Sequence, residues 1–561
     1  MNFTGIAKIA VISALVLLAV MVSKDRIYGG MCLCFLVYVA LREYRTSKKA
    51  DSQLKYLTEL DRFCQNLKHV FFRTGSIRDA VFLGSGRVKQ PLKKELEDIY
   101  GILESPDAGT LGSVYQNSDK DKYLRLLMSL FLLVEENGDS NTDEGSVFMN
   151  AVMQLRMEAR DERRAISARR HKFMGLSLTA ALPCASVLLI ASWGAGVNPN
   201  LLTFYYGRTG TVFRIVILMI SLICYRIVSG LKNPDIPQKE GIYLVVKGKR
   251  TDILENIGLN LRRTILFSFF GIVMLLSLLE AHHETVRLLK TDHSNINMLC
   301  DVADGRQIAA MEYLIPAYTQ IYTEDSADHP AKDELAEILL EEDGIRTLEV
   351  ASASAEEIIR RVEAIDDEKP DPIDLIIVIA AGLAGFFYPD LEVFFETLMR
   401  RSRIKDEIMQ FQTIISMQKD VPGMSPILIM ESLESFSDYF RPSLKTCLND
   451  IGTNEEEALL RLKMSCTDPD FERIADCFMM ADELGVTDAF DEISSEIRAF
   501  REDRRSERTI RIDNDVLLAS LTAVIPGGLI LFGYLLVPFM VSALNMFNSY
   551  QNSLKDYISI S

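Results

Sequence analysis

The sequence has few of the residue types that build catalytic and metal centres. Only one Trp and six His occur among 561 residues, and the nine Cys are scattered along the chain. No two Cys have the C-x-x-C spacing of zinc and redox sites, so we interpret them as small buried hydrophobic residues and not as a disulfide framework. No combination of Ser, His and Asp, or of Cys and His, stands out either. We therefore expect no catalytic residues, no cofactor and no enzymatic activity.

A phosphate-binding loop is also missing. The pattern G-x-x-x-x-G-K-[S/T] does not occur, and the Gly-Lys pair in "VKGKRT" has no glycine at the required distance before it. The histidines leave one alternative open, because "HHETVRLLKTDH" places His282, His283, Glu284 and His293 near one another. Since H-E-x-x-H is absent, we interpret them as solvated interface residues rather than as a metal site.

An excess of positive charge is lacking as well. The formal net charge of −17 argues against a nucleic-acid partner, because phosphate binding needs clustered positive charge. Much of the negative excess lies between Ala281 and Pro372, which hold 22 acidic and eight basic residues. The chain nevertheless has two basic stretches that precede apolar runs, "ARDERRAISARRHKF" from Ala159 and "REDRRSERTIR" from Arg501.

Seven apolar runs are long enough, or nearly so, to cross a bilayer as helices. They are Ile6–Val22, Tyr28–Leu41, Phe173–Trp193, Val212–Val228, Ile265–Leu279, Leu375–Tyr388 and Val516–Leu544. Lys and Arg near their ends belong on the cytoplasmic side, which predicts a multi-pass protein of the cytoplasmic membrane with its N-terminus inside and its C-terminus outside. The basic stretches are then membrane flanks in contact with the lipid surface. Their predicted topogenic residues are Arg163, Arg164, Arg169, Arg170, Arg504 and Arg505.

Two large inside segments have apolar residues at every third or fourth position, which predicts helices. Glycines end helices at corresponding places in both segments: Gly75 and Gly138 are 63 residues apart, and Gly423 and Gly485 are 62 apart. Each second glycine is followed by a helix that ends in acidic residues and two Arg, and then by an apolar run. These coincidences occur in the same order, so they predict an internal repeat of a helical bundle joined to a membrane span.

The second segment carries the clearest motifs. "GLAGFFYPDLEVFFETLMRRSRIKDEIMQFQTIISM" leads from an apolar helix into the bundle, "SPILIMESLE" and "DPDFERIADCFMMADELGVTDAFDEISSEIRAFREDRR" follow, and an apolar run closes the segment. This order resembles the F family of type II secretion systems, and within it the platform proteins of the tight-adherence (Tad) pilus branch. The first half, from Ile6 to about Val228, is similar to a weaker copy. The whole chain therefore looks like two Tad platform proteins fused together.

The resemblance implies a platform in the cytoplasmic membrane that gathers a cytoplasmic secretion ATPase and helps to extract or assemble pilin-like subunits. It also implies a homo-oligomer. The expected partner contacts are the acidic turns of the two bundles, at Glu135, Glu136 and Gly138 and at Asp482, Glu483 and Gly485. A simpler alternative for these turns is a helix C-cap with solvated charges. The alternative function is a multi-pass transporter or a membrane receptor with an extracytoplasmic domain.

The predicted fold is all-α, with about seven transmembrane helices, two cytoplasmic helical bundles and a small extracytoplasmic α/β or α domain. That domain departs from the family, which has a tight turn there, and its "TLEVASASAEEIIRRVEAI" predicts a strand followed by a helix capped near Ser354. The predicted segments are a hairpin (1–41), the first bundle (42–172), two spans (173–230), a cytoplasmic linker (231–264), a span (265–280), the extracytoplasmic domain (281–372), a span (373–390), the second bundle (391–514), a span (515–545) and a tail (546–561).

Replacing Arg163, Arg164, Arg169 and Arg170 together with Glu is expected to disturb membrane insertion or anchoring. The reason is that the positive charge that keeps the near end of the next span in the cytoplasm is lost. Reporter fusions placed after successive spans measure the topology, and a variant with four Lys at these positions is the control that keeps the charge. Normal topology in the Glu variant would remove the topogenic role.

Overall fold

A computed structural model describes residues 26–116, 121–142, 145–198, 201–232, 253–291, 305–324, 331–342, 344–367, 371–437, 439–452, 454–465, 468–491 and 501–560. The first predicted span, Ile6–Val22, lies outside the described residues, as does most of the predicted cytoplasmic linker. The described part is helical almost throughout. Its one strand pairing joins β1 (Asn141–Thr142) to β2 (Gly145–Ser146) in antiparallel orientation, with Asn141 opposite Ser146.

The first half begins with a long helix, α1 (Arg26–Thr74), which starts in apolar sequence and continues into the first bundle. The bundle is completed by α2 (Ile77–Ser85), α3 (Leu92–Glu104), α4 (Ala108–Gln116), α5 (Lys122–Asn137) and α6 (Val147–Lys172). The side chains of Ser76 and Asp121 accept backbone N–H groups at the starts of α2 and α5. These caps explain why the two helices begin where they do.

The second bundle repeats this order of elements. Its long helix is α15 (Pro372–Gln418), and α16 (Pro426–Phe436), α17 (Arg441–Asp450), α18 (Glu455–Lys463), α19 (Pro469–Leu484) and the short α20 (Val486–Ala489) follow. Ser425 and Asp468 cap α16 and α19 in the way that Ser76 and Asp121 cap their counterparts. The matched helices α5 and α19 each contain 16 residues and each end at a glycine. The order of the first five helices is therefore the same in both units, whereas the strand pair β1–β2 of the first unit is replaced by α20 in the second.

The predicted third span, Phe173–Trp193, is divided in the structure. A turn at Phe173–Gly175 precedes α7 (Leu176–Ala181), and α8 (Pro183–Val197) follows it. Gly175 has a φ of 93°, a left-handed conformation that favours glycine, and Pro183 lacks the N–H group that a continuous helix would use. Leu182 keeps helical dihedral angles between them, so α7 and α8 follow one another with a kink.

The remaining apolar helices pack into a second hydrophobic cluster, separate from the bundles. After α9 (Leu202–Tyr206) comes α10 (Arg208–Lys232), and the chain ends with α21 (Arg501–Leu529), a π-helical segment (Ile530–Leu536) and α22 (Val537–Ile560). Buried residues of α1, α7, α8, α10, α21 and the π-helical segment share this cluster. Pro526 and its two following glycines precede the π-helical segment, and such residues locally weaken the regular hydrogen-bond ladder.

Among the described residues, five helical segments are long and apolar enough to cross a membrane. They are Arg26–Thr74, Arg208–Lys232, Asn260–Lys290, Pro372–Leu391 and Ser506–Asn548. They contain five of the seven predicted spans, and α8 is a shorter apolar helix of 15 residues. The protein is thus a helical protein with the composition of a membrane protein.

The helix α11 (Ile253–Thr291) runs antiparallel to α15, because Arg263 pairs with Asp390 at one end and Gly271 lies near Val378 further along. Gly382 of α15 faces the ring of Phe267 so closely that a Cβ at that position would come within 2.8 Å of the ring. The small residues of "AAGLAG" (380–385) therefore let the two helices approach closely.

Three helices pack at the end of this helical pair: α12 (Gly305–Glu324), α13 (Lys332–Leu340) and α14 (Leu348–Asp367). The described part of the acidic domain is therefore helical, and the predicted strand before Ser354 is wrong. Leu348 already starts the helix, and the hydroxyl of Ser354 lies inside it and donates to the carbonyl of Val350. Val350 and Ala351 are buried against the neighbouring helices, and this packing stabilises a helix in spite of β-branched sequence.

The two bundles share one hydrophobic core cluster, which extends from Leu57 to Phe490. In the second bundle Phe440 is 1% exposed and stacks on Phe471, with ring centroids 4.2 Å apart. The predicted two bundles thus form a continuous apolar interior and not two isolated cores.

Phe440→Ala is expected to lower the free energy of unfolding by about 3–5 kcal/mol, because it leaves a cavity beside Phe471. Chemical denaturation of the detergent-solubilised chain measures the change. Met464→Ala is the control, since Met464 is 79% exposed, and a change within about 0.5 kcal/mol is expected there. Equal losses in the two variants would contradict the position of Phe440 in the core.

Candidate functional site

The two acidic turns are helix C-caps in the structure. Gly138 and Gly485 have φ angles of 77° and 86°, and their N–H groups donate to Val134 and Ala481 at 3.0 Å. With ψ angles of 179° and 155°, this conformation costs a residue with a Cβ about 1–3 kcal/mol, which explains why glycine occupies both positions. The sequence therefore predicted the local geometry of both turns correctly.

The surroundings of the two turns differ. Glu135 of the first turn pairs with Arg78 at 2.8 Å, and the side chain of Asn137 lies against Gly423 of the second bundle. In the second turn, Asp482 and Glu483 are exposed and Leu484 is 56% exposed. Glu135, Glu136 and Gly138 are exposed as well, so the two turns differ in their neighbours and not in their exposure.

A contact between the bundles passes through α5 and α16. The rings of Tyr123 and Phe436 meet edge to face with centroids 5.7 Å apart, and both side chains are buried. The guanidinium of Arg125 donates to the carbonyl of Ser435 at 2.8 Å. The ammonium of Lys122 lies 5.6 Å from the ring centroid of Phe436. The first bundle thus has an aromatic and cationic contact surface for the second.

The helices that carry the two basic stretches, α6 and α21, contact each other through ion pairs, which the sequence did not predict. Lys172 pairs with Asp513, and Arg169 lies 3.6 Å from Asp515. Nearer the bundles, Arg508 pairs with Glu158 at 3.2 Å. Residue numbers increase in the same direction along both helices, so α6 and α21 run parallel.

The other predicted topogenic residues lie on the same two helices. Arg170 pairs with Asp51 of α1, Arg164 lies 3.5 Å from Asp161, and Arg163 approaches the hydroxyl of Thr58 at 3.5 Å. Arg504 and Arg505 belong to α21, but their side chains lie outside the described residues. Arg169 and Arg170 therefore join neighbouring helices, in addition to the role at the membrane that the sequence predicts.

Two carboxyl groups of the first bundle have shifted pKa values. Burial opposes ionisation of Asp61, but the hydrogen bonds from Arg160 and Arg156 outweigh it and hold the pKa of Asp61 below its ordinary value. This pair therefore stabilises α1 against α6 above the unfolded pKa of the carboxyl group, and acidification through the folded pKa removes the contribution. Burial raises the pKa of Asp121, although its carboxylate accepts hydrogen bonds from Tyr56 and Tyr123.

A buried polar cluster lies between the apolar helices α1, α10 and α11. Its centre is Arg214, which is 1% exposed and donates to Gly210 and Thr211 of its own helix. The carboxylate of Glu280 accepts the backbone N–H groups of Arg26 and Ile27, each at 2.9 Å. Around them is a small cavity lined by Tyr28, Thr211, Arg214, Ile215, Ser277 and Glu280.

Sequence reasoning misses this cluster. Arg214 lies near one end of an apolar run, where a long cationic side chain ordinarily extends to the interface. The structure instead turns the guanidinium inward, beneath the ring of Tyr28, 5.9 Å from its centroid. The hydroxyl of Ser277 is buried beside it without a hydrogen-bond partner among the described residues. Ionisable residues inside a membrane region are functional hypotheses by default, so this cluster is a candidate site.

The alternative metal site is not assembled in the described part of the chain. His282, His283 and Glu284 lie on α11, where Glu284 pairs with Arg287 at 2.8 Å, and His293 lies outside the described residues. Within the described ranges, no group of three or more His, Cys, Asp or Glu side chains has metal-binding geometry.

Comparisons with known proteins give no relative of this chain. No family model matches it, no curated protein matches it, and no solved structure matches it.

Gly423→Ala is expected to destabilise the protein more than Gly485→Ala. Both positions have a left-handed φ, but a Cβ at Gly423 would collide with the side chain of Asn137, whereas a Cβ at Gly485 would meet open space. Overpacking adds about 1–3 kcal/mol to the strain that the two variants share. Chemical denaturation of both variants in detergent measures the difference. Equal losses would show that α5 and the second bundle do not meet at this point.

Proposed function

We propose that the chain is a platform protein of the cytoplasmic membrane for a Tad or type IV pilus, or for a related type II secretion-like machine. It couples a cytoplasmic secretion ATPase to the extraction and assembly of pilin-like subunits. The observation that carries the proposal is the duplication of one unit, in which a long helix leaves an apolar region, enters a helical bundle and is followed by a returning helix. This is the order of elements on which the sequence resemblance rests.

The proposal places seven spans in the membrane. Five are the apolar helical segments of the structure, one is the kinked pair α7 and α8, and one is the N-terminal run Ile6–Val22. The N-terminus then lies inside and the C-terminus outside, with both bundles in the cytoplasm and the acidic helical domain on the outer side.

The long helices give a route for mechanical coupling. α1 contains 49 residues and α15 contains 47, and each joins an apolar segment to a bundle without a break. A displacement of the bundle by the ATPase therefore moves the attached span, because a helix transmits force along its hydrogen-bonded backbone. The ion pairs between α6 and α21 join the two units at the base of the membrane region.

The second acidic turn is the proposed ATPase contact. Asp482 and Glu483 are exposed, whereas the first turn is partly occupied by Arg78 and by the second bundle. Homo-oligomerisation of the chain would present several such turns to a ring of ATPase subunits.

The buried Arg214 cluster favours a second candidate, a transporter, because intramembrane ionisable groups often line substrate pathways. Reconstitution in liposomes tests it by measuring the flux of small anions and cations. Flux that is lost in Arg214→Gln, together with normal pili after deletion of the gene, would support transport and contradict the platform function.

Deletion of the gene in the native organism is expected to abolish pilin-like subunits on the cell surface, and the wild-type gene is expected to restore them. The double variant Asp482→Lys with Glu483→Lys is expected to lower the secretion ATPase that co-purifies with the chain by about tenfold, because opposite charge is placed in the contact. Glu455→Lys with Glu456→Lys is the matched control on exposed residues of α18. Normal surface pili in the deletion strain would reject the platform function.

A further inference from the structure

The contact between the two bundles joins different surfaces of the repeated unit. α5, the fifth helix of the first unit, lies against α16, the second helix of the second unit. A two-fold related contact would also bring α19 against α2, because these are the corresponding helices. Phe82 and Leu83 of α2 and Asp470 and Arg473 of α19 are instead exposed. The contact is therefore heterologous, and one copy of each surface is uncovered.

The burial of α5 and α19 shows the uncovered surface directly. On α5, Tyr123, Leu126 and Leu133 are buried, so this helix is covered both by its own bundle and on its outward side. Counted from the capping residues Asp121 and Asp468, the corresponding side chains of α19 are Asp470, Arg473 and Met480, and all three are exposed. The sequences agree with this difference, since "KYLRLLMSLFLLVEEN" is apolar nearly all round and "PDFERIADCFMMADEL" has one apolar face.

The complementary surface is uncovered on the first unit. Counted from the capping residues Ser76 and Ser425, the position of Phe436 corresponds to Arg87, which is exposed. Beside it on α2, Phe82 is 57% exposed and Leu83 is also exposed. In the contact within the chain, Tyr123 meets Phe436. At the corresponding positions of the two uncovered surfaces, Asp470 and Arg87 carry opposite charges.

We propose that a second copy of this chain docks with its α19 surface on the α2 surface of the first, so that the contact within the chain is repeated between chains. Asp470 then pairs with Arg87. The inference rests on the membrane placement of the proposed function in one respect. α6 and α21 run parallel, so the two units have the same direction relative to the membrane. The rotation that relates the first unit to the second therefore adds further copies within the plane of the membrane. A heterologous contact of this kind produces a ring when the rotation closes.

Charge reversal tests the docking in the full chain. Arg87→Glu and Asp470→Arg are each expected to weaken self-association by about tenfold, since like charges then face each other, and the double variant is expected to restore it. Mass photometry of the detergent-solubilised chain over a concentration series measures the association. Glu456→Lys is the control on an exposed residue away from both surfaces. A monomeric wild-type chain, or a double variant as weak as the single ones, would overturn the proposal.

A cross-linking experiment keeps the test valid if a charge variant fails to fold. Two differently tagged chains are produced together, one with Arg87→Cys and the other with Asp470→Cys, and membranes are treated with a mild oxidant. A disulfide-linked product that carries both tags is expected, whereas Arg87→Cys with Glu456→Cys should give none. Equal cross-linking in the two pairs, or none in the first, counts against the docking. Since neither readout involves pili, a monomeric chain that supports pili refutes only the docking, and an associating chain that is dispensable for pili refutes only the platform function.

Discussion

The continuity of α1 and α15 from apolar sequence into the bundles is the constraint on which the rest of the structure depends. A backbone that crosses lipid must satisfy its hydrogen bonds internally, and a helix does so on both sides of the boundary without a change of conformation. At 1.5 Å per residue, the 49 residues of α1 extend over about 70 Å. The orientation of each bundle is therefore tied to the helix that enters it.

The basic stretches also form ion pairs between helices in this structure. An exposed ion pair such as Lys172 with Asp513 contributes at most about 1 kcal/mol, and Arg508 with Glu158 is a partly buried pair. What they do is fix α6 parallel to α21 near the apolar helices. The same positive charges that predict the cytoplasmic side of the membrane thus also set the relative direction of the two repeated units.

The duplicated units diverge where they meet. α5 is apolar on its outward side, where Phe436 contacts Tyr123, while α19 has two charged residues and a Met at the matching positions. A capping residue and a terminal glycine are kept in both helices because every helix end needs partners for its free N–H and C=O groups. The helix caps are therefore repeated in both units. The apolar outward side, which serves the contact between the bundles, occurs only on α5.

Sequence alone determined the helical class, the repeat, the glycine C-caps and five apolar helical segments, because periodicity, glycine φ preference and hydropathy act over a few neighbouring residues. It also contained the signals that divide Phe173–Trp193, namely Gly175 and Pro183, although the length of the run outweighed them in the prediction. Only the tertiary structure decided that the strand before Ser354 is helical, that Arg214 is buried among α1, α10 and α11, and that the bundles share one interior. Lys172 and Asp513 are 341 residues apart in the chain, and their meeting depends on how whole helices pack, which no local pattern encodes.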